Sequence, residues 1–520
     1  MLITEILARN ARSYGKDIAL VERDPSAGTR REISWADFDR ESNRFANALL
    51  QAGVSKGDRV GQLMMNCLEW LPVYFGILRT GAWAVPLNFR FEAETILACA
   101  ALSEFKVFLF GPEFVERIAI VRSKLGSAET RYVFLGARES CPDFATLYED
   151  FIATVADSAP LVPLDICDDA ALYFTSGTTG HPKAVRLTHR NLEHACYIES
   201  QHHSQTRTDT FLCIPPLYHT GAKMHWFGSF IVGGRAVILK GVRPEWILQA
   251  VSEERVTIVW LLVPWAHDIL ISWENGEIDL DSYHLEQWRL MHIGAQPVPP
   301  SLIHAWKRVF PKHAYDTNYG LTETTGPGCV HLGIDNTWKI GAIGVPGFDW
   351  ECRIADTLGR ELGDGETGEL QVRGPGVMKE YYKDPEETAA VLIDGWLRTG
   401  DVARRDKDGF YWLVDRTKDL IVAGGENVSP VEIEHFFMNH PAIQDIAVIG
   451  TPDKRLGELI TAIVQVKPGM ALSAGEFLVF AEPLPRYKRP KLVYFDQVPR
   501  NATGKIEKPK LRQKYGQTRS

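Results

Sequence analysis

Residues 173–183 read YFTSGTTGHPK and form the segment with the clearest chemistry in the chain. A short apolar stretch, AALYF, leads into a run of Thr, Ser and Gly that ends at Lys183. Glycines let backbone N–H groups converge on an anion, hydroxyls add donors, and the lysine adds positive charge. The pattern is not a Walker loop, which needs GxxxxGK[ST] at the start of a helix. A flexible Ser/Thr/Gly linker is the alternative, but the preceding strand and the following Pro-Lys favour a phosphate-binding loop.

The motif TSGTTGxPK is the signature of the adenylate-forming superfamily, and the chain resembles the free-standing acid–CoA ligases of that superfamily. The resemblance covers nearly the whole chain. It implies an ATP-dependent, AMP-forming enzyme that makes an acyl-adenylate and then transfers the acyl group to coenzyme A. The other family motifs occur in the family's order, as PLYHTG (216–221), GAQP (294–297), YGLTET (319–324), GELQVRGP (368–375), TGD (399–401), DRTKDLIVAGGENVSPVEIE (415–434) and PRNATGK (499–505).

The resemblance implies a nucleotide site built from several of these motifs. Tyr319 would be the platform for adenine, Asn318 would hydrogen-bond the base edge, and Asp401 would accept from the ribose hydroxyls. Small residues in GAQP would let the backbone approach the ring from the other face. The residues assigned to ATP and AMP are Thr175, Ser176, Gly177, Thr178, Thr179, Gly180, Lys183, Gly294, Ala295, Gln296, Asp316, Asn318, Tyr319, Gly320, Asp401 and Arg416.

Adenylation brings a carboxylate onto a phosphate, so the site must offset the charge of two anions. The resemblance implies that Thr322 contacts the α-phosphate and that Glu323 binds Mg²⁺, a hard ion suited to oxygen ligands. Lys505 would lie against the α-phosphate and the substrate carboxylate. The glycine before it suits a point charge that moves in and out. Outside this motif, Lys505 would be interpreted as a solvated lysine of the tail.

The second step needs different surroundings, and the resemblance implies that the small domain rotates about Lys418. In the rotated state, Gly424, Gly425 and Glu426 would line the tunnel for the pantetheine arm. Lys488, in the segment RYKRP, would meet the nucleotide phosphates of coenzyme A.

His219, in PLYHTG, resembles the aromatic gate between the acyl pocket and the nucleotide. The alternative is a satisfied structural histidine. Candidate residues of the acyl pocket are Lys223, Trp226 and Trp265. The tryptophans favour a compact aromatic, alicyclic or medium-chain acid, although bulky aromatics equally often fill a core. Lys223 either pairs with a polar group or second carboxylate of the substrate or points to solvent.

The motifs are carried by a chain in which strand and helix patterns alternate, and these elements position them. Residues 34–50 have helical spacing with Ser34 as the N-cap, and a helix over 69–78 lies between two buried strands. Such alternation predicts an α/β fold with largely parallel sheets in layers. Near residue 415 the pattern changes to β-β-α-β-β-α-β. Residues 409–425 would form the first two strands, and Ser429 would cap the helix that follows, with Pro430 in its first turn. This run predicts a separate α+β domain. We expect an N-terminal AMP-binding domain over 1–415 and a mobile C-terminal domain over 416–520.

The composition, 45% hydrophobic and 24% charged residues, is typical of a soluble globular protein. No apolar run reaches the ~18 residues that span a bilayer, and no signal peptide is recognisable. Eight scattered cysteines without a CxxC pair favour reduced thiols in a cytoplasmic protein. The fifteen histidines show no ligand pattern such as HExxH, so no structural metal is expected.

The net charge of −9 conceals a basic tail, because residues 485–520 contain 11 Lys and Arg against 2 Asp and Glu. Such a tail suits a solvated surface, a nucleic-acid contact or a partner with several phosphates. The motifs favour a partner with several phosphates. The expected partners are therefore a small carboxylic acid, ATP and coenzyme A, and no nucleic acid is expected. The sequence leaves open whether the protein forms a homodimer.

Two other functions are compatible with the sequence. A stand-alone adenylation enzyme would load the acyl group onto a carrier protein. A non-catalytic nucleic-acid-binding or regulatory protein would retain the fold without the reaction. The intact set of Lys183, Glu323, Asp401, Arg416 and Lys505 argues against the second.

Overall fold

The computed structural model describes residues 1–126, 129–175, 182–295, 297–416, 419–423, 426–453, 456–501 and 505–516. The α-helices are α1 (Ile3–Tyr14), α2 (Trp35–Gln51), α3 (Trp70–Arg79), α4 (Ala93–Ser103), α5 (Val115–Leu125), α6 (Tyr148–Phe151), α7 (His189–His203), α8 (Thr220–Ile231), α9 (Pro244–Glu253), α10 (Val263–Glu274), α11 (Pro300–Val309), α12 (Pro385–Val391), α13 (Pro430–Phe437), α14 (Ala474–Phe480) and α15 (Lys508–Tyr515).

The strands are β1 (Ile18–Asp24), β2 (Thr29–Ser34), β3 (Arg59–Leu63), β4 (Trp83–Pro86), β5 (Val107–Phe110), β6 (Arg131–Phe134), β7 (Thr146–Leu147), β8 (Asp169–Thr175), β9 (Lys183–Thr188), β10 (Thr210–Cys213), β11 (Arg235–Leu239), β12 (Ile258–Leu262), β13 (Leu290–Gly294), β14 (Ala314–Asp316), β15 (Asn318–Tyr319), β16 (Val330–His331), β17 (Val345–Pro346), β18 (Glu351–Ala355), β19 (Thr367–Arg373), β20 (Glu380–Tyr381), β21 (Leu392–Ile393), β22 (Trp396–Arg405), β23 (Tyr411–Arg416), β24 (Ile421–Ala423), β25 (Glu426–Val428), β26 (Ile443–Asp453), β27 (Gly457–Val466) and β28 (Leu492–Phe495).

Two large sheets form the body of the N-terminal part. One has the order β14-β13-β12-β10-β11-β1-β2, with every pair parallel except β1 and β2. The other has the order β20-β9-β8-β4-β3-β5-β6-β7 and is antiparallel only at β20, β9 and β8. The largest apolar core joins residues of both sheets with residues of α1, α2, α3, α7 and α8. This confirms the predicted layered α/β architecture.

Local sequence signals place several elements as expected. Helix α2 starts after Ser34, whose side chain accepts a hydrogen bond from the backbone N–H of Asp37 at 3.1 Å. Helix α13 starts after Ser429, which accepts from the N–H of Glu432, and Pro430 occupies its first turn. Both are N-caps that satisfy otherwise unpaired helix donors.

The C-terminal part has its own sheet, in the order β25-β24-β27-β26, with β28 added parallel to β27. Helices α13 and α14 pack on one side of this sheet in a core of their own. The predicted strand pair around 410–425 is wrong in one respect. Strand β23 is hydrogen-bonded to β22 of the preceding sheet, and only β24 belongs to the new one. The predicted division at 415/416 lies next to this change of sheet.

Candidate active site

The carboxyl ends of parallel strands β10, β12, β13 and β14 lie at one edge of the first sheet. His219 follows β10, Gly294 ends β13, and Asn318 comes two residues after β14. Ligands of open α/β sheets bind at such edges, because the loops there converge. The fold therefore brings the gate motif, the GAQP motif and the YGLTET motif together.

On the side proposed for adenine and ribose, two predicted residues are directly bonded. The Tyr319 hydroxyl donates to Asp401 Oδ2 at 2.6 Å, and Asp401 is 2% exposed. Asp401 and Arg416 are cross-strand neighbours of β22 and β23. Gly320 is required here because an added Cβ would lie 3.0 Å from the Gly326 carbonyl oxygen.

Ala295 in GAQP has φ +67°, the left-handed region that costs a non-glycine residue about 1–2 kcal/mol. Strained residues of this kind cluster at functional sites. Gly294 beside it leaves room: a Cβ added there would come no closer than 3.6 Å, to Asn318 Oδ1. The third predicted residue of this motif, Gln296, lies outside the described residues.

The phosphate side is organised around a residue that the sequence analysis missed. Tyr381 donates from its hydroxyl to Glu323 Oε1 at 2.8 Å, and the Lys183 ammonium lies 5.0 Å from the centre of its ring. Lys183 also forms an ion pair with Glu387 of α12. Tyr381 thus connects the predicted phosphate lysine with the predicted metal carboxylate.

Tyr381 and Glu387 lie about 200 positions after Lys183, and no spacing rule connects them to the phosphate loop. The connection is made by strand pairing, because Tyr381 in β20 is opposite Val185 in β9. The loop itself joins two antiparallel strands, with Thr175 opposite Lys183. Residues 176–180 lie outside the described residues, so their assignment to phosphate binding stays a prediction.

The gate region is next to the C-terminal part. Burial, with smaller contributions in the same direction from the charges of Lys505 and Lys223, lowers the pKa of His219 to about 3. A cleft of about 490 Å³ runs along the same boundary and is lined by Trp265 together with Arg500 and Asn501.

The structure corrects the interpretation of Lys223. This residue is fully buried, and its Nζ donates to the carbonyls of Leu217 at 3.0 Å and His219 at 3.3 Å. Burial lowers the pKa of Lys223 well below its ordinary value. It therefore neither points to solvent nor presents its charge to a substrate carboxylate. Instead it holds the backbone of the gate motif. The ammonium also lies over three aromatic rings, those of Trp70, Tyr74 and Tyr173.

Trp226 also differs from the expectation. It is fully buried and packs against Trp35 and Phe230, with ring centres 6.4 and 5.3 Å away. Its side chain is part of the hydrophobic core. It lies on α8, where the sequence pattern is apolar on most sides and does not show which face meets the pocket.

Asp316 is the nucleotide candidate that the structure places elsewhere. Its carboxylate is fully buried, accepts from His203 Nε2 at 2.7 Å and from the Gly333 N–H at 2.7 Å, and lies 3.5 Å from His292 Nδ1. Glu199 lies on the other side of His203, 3.1 Å from Nδ1. The His203 imidazole thus lies between the carboxylates of Asp316 and Glu199 and balances their charge.

This cluster has the residue types of a metal site but the geometry of an ion-pair network. His203, His292 and Asp316 have ligand atoms within 4.8 Å of one another. Two ligands on a tetrahedral zinc ion are separated by roughly 3.3 Å, given bonds of about 2.0–2.1 Å. The 2.7 Å between His203 and Asp316 is a hydrogen-bond distance instead.

In the C-terminal part, the Lys488 ammonium is bound to both oxygens of Glu432, at 2.6 and 2.7 Å. The remaining candidates for the second step are not tested by the structure. Glu426 begins β25, and Lys418, Gly424 and Gly425 lie outside the described residues. Thr322 begins the short turn that carries Glu323.

The buried histidines predict how stability depends on pH. Burial, only partly offset by Glu199, lowers the pKa of His225 to about 4, so this group takes up a proton on unfolding below its ordinary pKa of 6.5. Stability is therefore lost as pH falls from 6.5 towards 4, by up to about 1.4 kcal/mol per pH unit for each such group. Burial would also lower the pKa of His203, but Glu199 and Asp316 outweigh it and raise the pKa to about 10.

The stabilisation from His203 is present below pH 6.5 and is lost as pH rises towards 10. We expect the melting temperature to be highest between about pH 6 and 7 and to fall on both sides. Differential scanning fluorimetry from pH 4.5 to 10 at constant ionic strength measures this. His203→Gln should flatten the alkaline side, whereas His313→Gln, a buried histidine outside the cluster, should leave it unchanged. An identical alkaline slope in His203→Gln would contradict the assignment.

Known proteins match nearly the full chain. The AMP-binding enzyme family matches residues 7–382, and its C-terminal domain matches residues 432–505. A feruloyl-CoA synthase from an Amycolatopsis species is 35% identical over 494 residues, covering 93% of this chain and 94% of that protein. A crotonobetaine/carnitine–CoA ligase from Citrobacter koseri is 32% identical, covering 96% and 97%. The solved structure of the anthranilate CoA ligase AuaEII with anthranoyl-AMP matches with a TM-score of 0.90 at 26% identity, covering 99% and 97%.

The chain belongs to the AMP-binding enzyme family. Within it, the curated relatives are acid–CoA ligases, and the enzyme class of this chain is that of the AMP-forming acid–thiol ligases. This confirms the resemblance from the motifs. Among the residues that the structure describes, no helix is long and apolar enough to cross a membrane.

Proposed function

We propose that the protein activates a compact, flat carboxylic acid in two steps, with its C-terminal domain rotating between them. In the first step a carboxylate oxygen attacks the α-phosphorus of ATP and pyrophosphate leaves. In the second step the thiol of coenzyme A attacks the acyl carbonyl and AMP leaves. The observation that carries the proposal is the Lys183–Tyr381–Glu323 group, in which the Tyr381 hydroxyl donates to Glu323 at 2.8 Å and the Lys183 ammonium lies 5.0 Å from the centre of the Tyr381 ring.

In the first step Lys505 would act from the C-terminal part, together with the Lys183–Tyr381–Glu323 group. The ammonium groups of Lys505 and Lys183 would offset the repulsion between carboxylate and phosphate as the new bond forms. His219 is uncharged near neutral pH and acts as an aromatic wall, with its ring centre 4.4 Å from that of Tyr218.

Mg²⁺ fits the residues on the phosphate side. Glu323 is a half-buried carboxylate oriented by the Tyr381 hydroxyl, and oxygen donors of this kind suit a hard divalent cation. Glu323 would hold the ion together with phosphate oxygens. When bound, the ion supplies charge neutralisation to the phosphates.

The preference for a flat acid rests on the residues beneath the gate. His225 and Trp260 stack with ring centres 4.3 Å apart, and a Cβ at Gly221 would come within 3.1 Å of the Trp260 ring. This stacked pair would form a wall of the acyl pocket, against which a flat ring packs more closely than a branched chain. The relatives whose names include ferulate and anthranilate act on aromatic acids.

Acid-dependent release of AMP tests the proposal across benzoate, cyclohexane carboxylate, hexanoate and a dicarboxylate. We expect benzoate to exceed cyclohexane carboxylate and hexanoate, because it is the flat acid of the set. All three should exceed the dicarboxylate, because the Lys223 side chain is already bound to backbone carbonyls. Free coenzyme A should accept the acyl group. A preference for a phosphopantetheinylated carrier protein would favour the carrier-loading alternative instead, and AMP release independent of any acid would contradict the proposal.

A further inference from the structure

We propose that His225 makes the site selective for adenine by fixing the orientation of the Asn318 side-chain amide. The inference rests on the proposed function, in which Asn318 contacts the edge of the base. His225 is 2% exposed and lies on α8, four residues after Gly221 of the gate motif. It belongs to none of the motif positions that carry the resemblance.

The hydrogen-bond partners of His225 determine its tautomer. Its Nδ1 is bonded to the backbone carbonyl of Gly221, which can only accept, so Nδ1 carries the proton. Burial lowers the pKa of His225 to about 4, so the ring is neutral at pH 7 and its Nε2 must be an acceptor. Nε2 is 2.9 Å from Asn318 Nδ2. Glu199 Oε1, at 3.8 Å from Nε2, is too far away to compete.

This chain of donors and acceptors leaves one orientation for Asn318. Its NH₂ group must face His225, and its amide oxygen therefore faces away. That oxygen lies beside Gly294, where an added Cβ would be 3.6 Å from it. Gly294 is the residue assigned to the adenine slot, so the slot is offered an acceptor and not a donor.

An acceptor at this position discriminates between bases. The 6-amino group of adenine donates to the Asn318 oxygen, whereas the 6-oxo group of hypoxanthine or guanine would place two acceptors against each other. The loss of such a hydrogen bond in a site built for it lowers binding by about 10- to 100-fold. If the amide were free to turn, its NH₂ group would donate to a 6-oxo group and the discrimination would be lost.

Packing keeps the His225 ring from turning. It is stacked on Trp260 with an angle of 18° between the ring planes, and its centre is 4.7 Å from that of the buried His292. Asn318 is held in β15 opposite His331 of β16. Turning either side chain would place two hydrogen-bond donors or two acceptors against each other in the protein interior, which costs free energy.

The test measures the acid-dependent release of nucleoside monophosphate from ATP and from inosine triphosphate, which carries a 6-oxo group. The quantity compared is the ratio of kcat/KM for ATP to kcat/KM for inosine triphosphate. The wild-type kcat/KM ratio should favour ATP by at least about 10-fold. In His225→Leu the ratio should fall about 10-fold or more, because the KM for ATP rises and the kcat/KM for inosine triphosphate increases. His225→Gln should restore it, since its amide can donate to Gly221 and accept from Asn318. His313→Leu, a buried histidine elsewhere, should leave the ratio unchanged.

An unchanged ratio in folded His225→Leu protein would overturn the inference. If that variant does not fold, Asn318→Ala decides: it should lower the ratio by a similar factor, and an unchanged ratio there also overturns the inference. Failure of the proposed function is a separate result, because it would appear as absent acid-dependent AMP release by the wild-type enzyme.

Discussion

Lys505→Ala should slow acid-dependent ATP–pyrophosphate exchange by at least about 10²–10³-fold, the usual effect of losing one preorganised charge stabiliser. The lysine is exposed on the C-terminal part, so its removal should not affect folding. Its charge reaches the gate histidine, where the carboxylate and the α-phosphate are proposed to meet. Exchange is measured with labelled pyrophosphate at saturating ATP and acid.

The matched control is Lys510→Ala, which removes an exposed lysine of the same tail that pairs with Glu507 at 2.6 Å. This variant should keep normal exchange. Supplying a preformed acyl-adenylate with coenzyme A isolates the second step, which Lys505→Ala should largely retain. Near-normal exchange by Lys505→Ala would contradict its assignment, and equal loss of both steps would mean that the residue is structural.

The second large effect is expected at Glu323. Glu323→Gln preserves a side-chain oxygen that can accept from the Tyr381 hydroxyl, but it removes the negative charge. Because Mg²⁺ prefers charged oxygen ligands, adenylation should fall by about 10²-fold and the Mg²⁺ concentration for half-maximal rate should rise. A Mg²⁺ titration of the initial rate measures both changes.

Glu387→Gln is the control, since it makes the same substitution on the other carboxylate near Tyr381. In the wild-type protein Glu387 pairs with Lys183, and it is not assigned to the metal. We expect its Mg²⁺ requirement to stay at the wild-type value. If Glu323→Gln shows a wild-type rate and Mg²⁺ requirement, Glu323 is not a metal ligand.

The sequence was informative wherever local chemistry decides the structure. Ser34 and Ser429 marked helix starts because their hydroxyls satisfy backbone donors within three residues. The loops that carry the motifs converge in the structure because they follow parallel strands, whose carboxyl ends share an edge of the sheet. Tyr319 and Asp401, which both came from motifs, are hydrogen-bonded to each other.

What the sequence did not show depends on contacts between distant segments and on the direction of individual side chains. Tyr381 joins the phosphate side only through the pairing of β20 with β9. Lys223 could have faced a substrate or solvent, and the sequence of α8 did not show that its side chain is buried against the gate backbone. Asp316 stands beside the YGLTET motif, but histidines from three other elements surround its carboxylate.

The ion pair between Lys183 and Glu387 bears on how pyrophosphate leaves the phosphate side of the site. A lysine that already has a carboxylate partner need not become an isolated charge when an anion leaves. As pyrophosphate departs, Glu387 can take its place against the ammonium. The exchange of one anion for another would lower the free-energy cost of emptying the site, and α12 would then act as a tethered counterion during product release.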